Sequence, residues 1–161
     1  MGNVLSVGTW ILIIVGIVLF GGIFLFGRKK TGNKDSEVSE SVAVLKIKAC
    51  ERLVLYLERI RFSVLVKRVF MPGMSGSDLQ FSLIQNIQDE FEHNLAQRLY
   101  VSEEVWMLVV MTKDEALKSI NEAFAANPGA DAATMAQTIA AMPNTMIDKV
   151  VIAIKKDFYT I

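Results

Sequence analysis

Few residues in this chain could do chemistry. Glu90, Phe91, Glu92 and His93 contain one E-x-x-H. That spacing sets a carboxylate and an imidazole one helical turn apart, which is half of a di-iron carboxylate site. The full site needs a second such motif and two more glutamates. His93 is the only histidine, so one chain does not complete the set. On a helix whose apolar positions are Ile84, Phe91 and Leu95, His93 points roughly opposite, at ~180° by the 100° step. It therefore reads as solvent-exposed or partner-facing. Cys50 is the single cysteine, which excludes a disulfide framework and a Cys-rich zinc site. With no activating base signalled near it, Cys50 reads as a small buried hydrophobe rather than a nucleophile. Neither a phosphate-cradling glycine loop nor a G-x-S-x-G elbow occurs. No catalytic activity, metal or cofactor is expected.

The elements that must hold these residues are helical. Period-2 alternation is scarce and no repeat of 20 to 50 residues is visible. A first helix is expected from about Glu37 to Ile60, with Val38, Val42, Leu45, Ala49, Leu53, Tyr56 and Ile60 on one face. Residues 62–70 are rich in β-branched types but have no partner strand, so helix is favoured there. Pro72, Gly73 and Gly76 break the chain, and Ser77 is expected to cap a second helix from about Asp78 to Leu99. Its stripe is Ile84, Ile87, Phe91, Leu95 and Leu99. A third helix starts at Ser102 with Val105, Trp106, Val109, Ala116, Leu117, Ile120 and Phe124 inward. Lys113 falls inside that stripe, and Thr112 with Glu115 resembles a capping box, so a bend or break near Thr112 is expected. Asn127, Pro128 and Gly129 stop the helix. A short Ala-rich helix, about Ala132 to Met142 with Asp131 as N-cap, reads as the weakest core element. A last helix covers Thr145 to Tyr159. The methionines read mainly as core filling, with an adaptable surface as the other use.

Charge is patterned although its total is zero, 17 Lys+Arg against 17 Asp+Glu. Residues 46–68 hold seven bases and two acids, net +5, while residues 78–104 hold six acids and one base, net −5. The plain reading is a pair of packed helices with complementary flanks. The alternatives are a basic helix lying on anionic head groups, or an RNA partner. Neither the zero total nor any aromatic-basic stacking pattern favours nucleic acid.

The 52% apolar content is not evenly spread. Residues 4–26 carry no charge over 23 positions, which as a helix spans about 35 Å and suffices for a bilayer core. A secretory signal would need a basic start, a shorter apolar run and a small-residue cleavage site. None is present, so an uncleaved anchor is expected. The opening MGNVLS fits a myristoylation pattern, but a spanning helix would make a lipid redundant. Arg28, Lys29, Lys30 and Lys34 crowd the far flank and are the candidate membrane-surface contacts. By the positive-inside rule the N-terminus lies outside and the rest in the cytoplasm. The expected organisation is an anchor at 1–27, a basic polar linker at 28–37 and a cytoplasmic helical domain at 38–161.

The stretches EFEHNLAQRLYVSEEVW (90–106) and ACERLVLYLERI (49–60), with the ending IDKVVIAIKKDF, resemble an uncharacterised family of small proteins from Bacteroidota. Each member has one N-terminal span and a helical cytoplasmic region. The resemblance covers about 49–158. It implies a bacterial cell-membrane setting and an all-α domain, and it assigns no activity.

The expected fold is thus all-α: a single N-terminal transmembrane helix followed by a bundle of four to five amphipathic helices. The expected role is a non-catalytic adaptor or accessory subunit that binds a membrane or cytoplasmic protein at the inner face of the cell membrane. Its candidate partner surface is Asp89, Glu90, Glu92, His93 and Arg98. The alternatives are a homo-oligomeric membrane scaffold and a metal-dependent enzyme or sensor using Glu90 and His93.

Overall fold

Three N-caps set the register of the bundle. Ser75 Oγ accepts from Asp78 N at 3.1 Å, and the Asp78 carboxylate accepts in return from Ser75 N at 3.3 Å. This is a reciprocal capping box. Ser102 caps through Val105 N, and Asp131 through Thr134 N at 2.8 Å. The computed structural model describes residues 31–159. Within them run α1 (Thr31–Arg59), α2 (Phe62–Val69) and α3 (Gly76–His93), then a 3-10 helix (Leu95–Tyr100). α4 (Glu103–Ala126), α5 (Ala132–Ala140) and α6 (Thr145–Phe158) complete the order. The architecture is all-α, with no strand among the described residues. The six α-helices exceed the four to five expected because residues 62–70 form their own element. No described helix is long and apolar enough to cross a membrane. The apolar run 4–26 lies outside the described residues.

The chain divides into two compact units, Met1–Val42 and Ala43–Ile161. The second holds the core. α3 packs on α4, α2 on α3 and α5, and α4 on α5 and α6. Leu53, Leu57, Ile60, Leu65, Leu79, Leu83, Ile87, Ile120, Met135 and Ile139 are fully buried. Burying an aliphatic side chain of this kind is worth about 1.5–3 kcal/mol each. Two glycines have backbones that favour the absence of a side chain. Gly73 (φ +89°) turns the chain after Pro72, and Gly129 (φ +85°) turns it between α4 and α5. Gly76 is needed for space, since a Cβ there would stand 3.0 Å from the Ala130 carbonyl oxygen.

Several expectations are corrected. α1 begins at Thr31 rather than about Glu37, so residues 31–37 are helical. Val38, Val42 and Leu45 are exposed, while Ala49, Leu53, Tyr56 and Ile60 from the same stripe are buried. Ser75, not Ser77, caps α3, because Asp78 stands three residues beyond Ser75 to complete the box. The helix expected from about Asp78 to Leu99 is α3, and it stops at His93. The chain tightens there into the 3-10 turn, and the change of winding swings Leu95 and Leu99 outward, 48% and 79% exposed. Of the rest of the expected stripe, Ile87 is buried and Ile84 and Phe91 pack partly buried against the core, while Leu79 and Leu83 complete the inward face of α3. α4 runs unbroken through Thr112, whose hydroxyl donates to Leu108 O at 2.8 Å. The back-bond satisfies the side chain inside the helix and removes the reason for a break. The Ala-rich α5 is core rather than a weak flank: Ala132, Met135, Ala136 and Ile139 are buried.

Candidate functional site

Of the sequence-selected residues, Glu90 and His93 are brought together where α3 meets α1 and α2. Glu90 is the node. Its Oε2 accepts from Arg59 Nη1 at 3.0 Å and its Oε1 from Arg68 Nη2 at 2.7 Å, and its side chain is only 11% exposed. Burial opposes the charge of this carboxyl. The Arg68 and Arg59 guanidiniums outweigh burial and hold its pKa below the ordinary value. One turn on, His93 Nε2 lies 3.1 Å from Arg52 Nη2. Arginine has no acceptor, so in this contact Nε2 is the acceptor. Among the ion pairs of the described residues, the basic stretch 46–68 meets the acidic stretch 78–104 at Glu90 alone, through Arg59 and Arg68, while Lys46 and Arg61 pair with acids of α6.

The remaining candidates face outward. Asp89 is exposed and accepts from Gln85 Nε2 at 2.7 Å. Glu92 is exposed. Arg98, in the 3-10 turn, pairs with Glu103 at 3.1 Å. Of the candidate membrane contacts, Arg28, Lys29 and Lys30 lie outside the described residues, and Lys34 lies within α1.

This arrangement leaves the E-x-x-H little metal chemistry. Both oxygens of Glu90 are held by guanidiniums and one His93 nitrogen is spent on Arg52. Among the described residues no three His, Cys, Asp or Glu side chains gather as a metal site.

Behind the node lies an aromatic stack that the sequence did not single out. Phe91 stacks on Trp106 at 5.6 Å and tilts against Tyr56 at 6.1 Å. Lys113 Nζ stands 4.6 Å above the Phe91 ring. The signal was present in the sequence: Lys113 interrupted an apolar stripe, and a base there needs a π-face or an acid. Asn94, buried after α3, donates from Nδ2 to Glu90 O at 2.7 Å and closes the helix end. The Tyr56 hydroxyl is buried with no hydrogen-bond partner among the described residues. Burial, with the nearby Asp114 and Glu90 charges, raises its pKa.

Two of the surface concavities bear on residues already named. One of about 150 Å³ opens beside Thr112, Ser119 and Asn144. The other, about 660 Å³, is an apolar groove between α1 and α6, floored by Ile47, Cys50, Val54, Ile154 and Phe158. Cys50 is buried in its wall. Burial, reinforced by Asp157, raises the thiol pKa, which leaves it a poor nucleophile at neutral pH.

The chain belongs to a family of unknown function, DUF7935, whose profile matches residues 5–161. No curated protein and no solved structure matches it.

Proposed function

We propose that this protein is a membrane-tethered helical adaptor, a non-catalytic accessory subunit that binds a protein partner at the cytoplasmic face of a bacterial inner membrane. One observation carries the reading: an uncharged run over residues 4–26 is followed at once by Arg28, Lys29 and Lys30. That is the pattern of a single span with its following domain held on the basic side. The packed helical unit that follows, Ala43–Ile161, supports a domain able to present a fixed surface. The partner surface in this reading is the outer face of α3 and the 3-10 turn, where Asp89, Glu92 and Arg98 are exposed. Glu90, largely buried, and the exposed His93 fix the end of α3 through Arg59, Arg68 and Arg52.

Alkaline carbonate washing of membranes tests the tether. The full chain stays with the bilayer and a variant lacking residues 1–30 is released; release of the full chain refutes the anchor. Photo-cross-linking tests the surface. A probe at Asp89 or Glu92 captures a second protein in native membranes, while one at Lys118, exposed on α4, does not. Equal labelling from all three positions, or none, refutes the assignment.

A further inference from the structure

The groove between α1 and α6 has a pattern that fits a second copy of itself. Its walls run antiparallel. Lys46 near the start of the groove pairs with Asp157 at 3.5 Å, and beyond the far end of α1 Arg61 pairs with Asp148 at 2.7 Å. The Phe62 N–H also donates to Asn144 Oδ1 at 3.1 Å at that far end. The floor is apolar, and two large side chains stand on the rim with most of their surface in water, Leu55 (58%) and Tyr159 (82%). Two charges of opposite sign line facing walls: Glu51 on α1 and Lys155 on α6. Neither forms an ion pair with a described residue. Counting from the Lys46–Asp157 tie, Glu51 is five residues along α1 and Lys155 two residues back along α6. At ~1.5 Å per residue they stand within about one helical turn of the same level.

We propose that this groove is the interface of a homodimer whose two-fold axis runs along it. Rotation about that axis exchanges the walls, so α1 of one copy lies over α6 of the other. Levels along the groove are preserved. Glu51 of each copy then meets Lys155 of the other, giving two symmetric ion pairs around a shared apolar strip. A contact in which one patch serves both subunits closes on itself. Leu55 and Tyr159 leave water in the same step, along with the floor residues. The axis also keeps the two α1 helices running in the same direction. Both chains therefore enter α1 from the same end, as two chains held in one bilayer must. Confinement to a membrane would raise the effective concentration of such a pair. The interface is separate from the α3 surface assigned to a partner, so a dimer would present two copies of that surface.

The test is the mass of the full chain in detergent, measured by light scattering with the detergent contribution subtracted, alongside far-UV circular dichroism to show that each variant is folded. The wild type has the mass of two chains. Glu51→Lys and Lys155→Glu each place like charges together twice and halve the mass to one chain. The double variant Glu51→Lys/Lys155→Glu restores opposite charges and returns the mass to two. A wild type of one chain overturns the proposal. So does a two-chain mass unmoved by either single reversal, or a double variant that stays at one. None of these readings depends on whether a partner protein binds α3 or on whether the chain is retained by membranes.

Discussion

Glu90 and Tyr56 are both largely buried polar side chains, and opposite outcomes are expected on removing their polar atoms. Glu90→Gln keeps the shape but takes away the charge that Arg59 and Arg68 share. Both arginines are well exposed, so the expected loss is modest, about 1 kcal/mol at neutral pH by urea denaturation. Because the folded pKa of Glu90 lies below its ordinary value of 4.5, the stabilisation is complete above that value and disappears as pH falls through the folded pKa. The gap between wild type and Glu90→Gln therefore closes in acid; a gap that persists or widens there refutes the linkage. Tyr56→Phe removes a hydroxyl that is buried without a partner among the described residues. The expected result is unchanged or slightly raised stability, by up to about 1 kcal/mol. A clear loss would show that the hydroxyl is satisfied. The sequence placed Tyr56 in a core stripe but gave no means to tell whether its oxygen would find a donor. That depends on what neighbouring helices bring, here Phe91 and Trp106 rather than a polar group.

At the level of elements, α5 is where a test separates propensity from packing. Its alanines suggest a weak helix, yet Met135 and Ile139 are wholly buried and α5 packs against α2, α3 and α4. Ile139→Ala is expected to cost about 2–5 kcal/mol by urea denaturation; a cost under about 1 kcal/mol would return α5 to the flank. Small residues in this helix allow close approach, and a composition-based reading mistakes them for a lack of core. The boundaries that the sequence disclosed were those with local chemistry: Ser102, Asp131 and the Asn127-Pro128-Gly129 stop. The end of α3 was hidden because the apolar spacing Ile87, Phe91, Leu95, Leu99 runs on at helical intervals. Asn94 ends the helix instead, by turning its side-chain amide back to Glu90 O, and no periodicity reports that. The apparent capping box at Thr112 misled in the other direction. A threonine inside a long apolar helix can bond its own i−4 carbonyl, and the burial of Thr112 favours that choice over a cap. In the candidate site, the opposed charges of the first two basic and acidic stretches were visible in the sequence. Which residues would pair was not, since α2 and its Arg68 had first to be folded back over Glu90.

The whole molecule divides between a stretch whose character is set by hydropathy and a bundle whose stability is set by packing. Among the described residues, every buried hydrophobic residue of the core lies at Ala49 or later, inside the compact unit Ala43–Ile161. Removing residues 1–42 should therefore leave the packing intact. The chain has two tryptophans, Trp10 and Trp106, so this truncation leaves Trp106 as the sole reporter. Trp106 is 5% exposed and stacked on Phe91 between α3 and α4, which makes its emission a measure of tertiary packing, while far-UV circular dichroism reports the helices. The expected outcome is one cooperative urea transition seen at the same midpoint by both probes. Its slope should suit about 119 residues of folded chain, near 1–3 kcal/mol per molar of urea. A helical signal that outlasts the Trp106 transition would mean that α1 or α6 folds apart from the α3–α4 pair. A truncated chain with no transition at all would mean that residues before Ala43 hold the bundle together. The two-copy groove predicts a third observable in the same experiment. If the truncated chain still pairs through Glu51 and Lys155, its midpoint rises with protein concentration, because association stabilises only the folded state. The Glu51→Lys variant of the same chain should lose that dependence while keeping its two probes coincident.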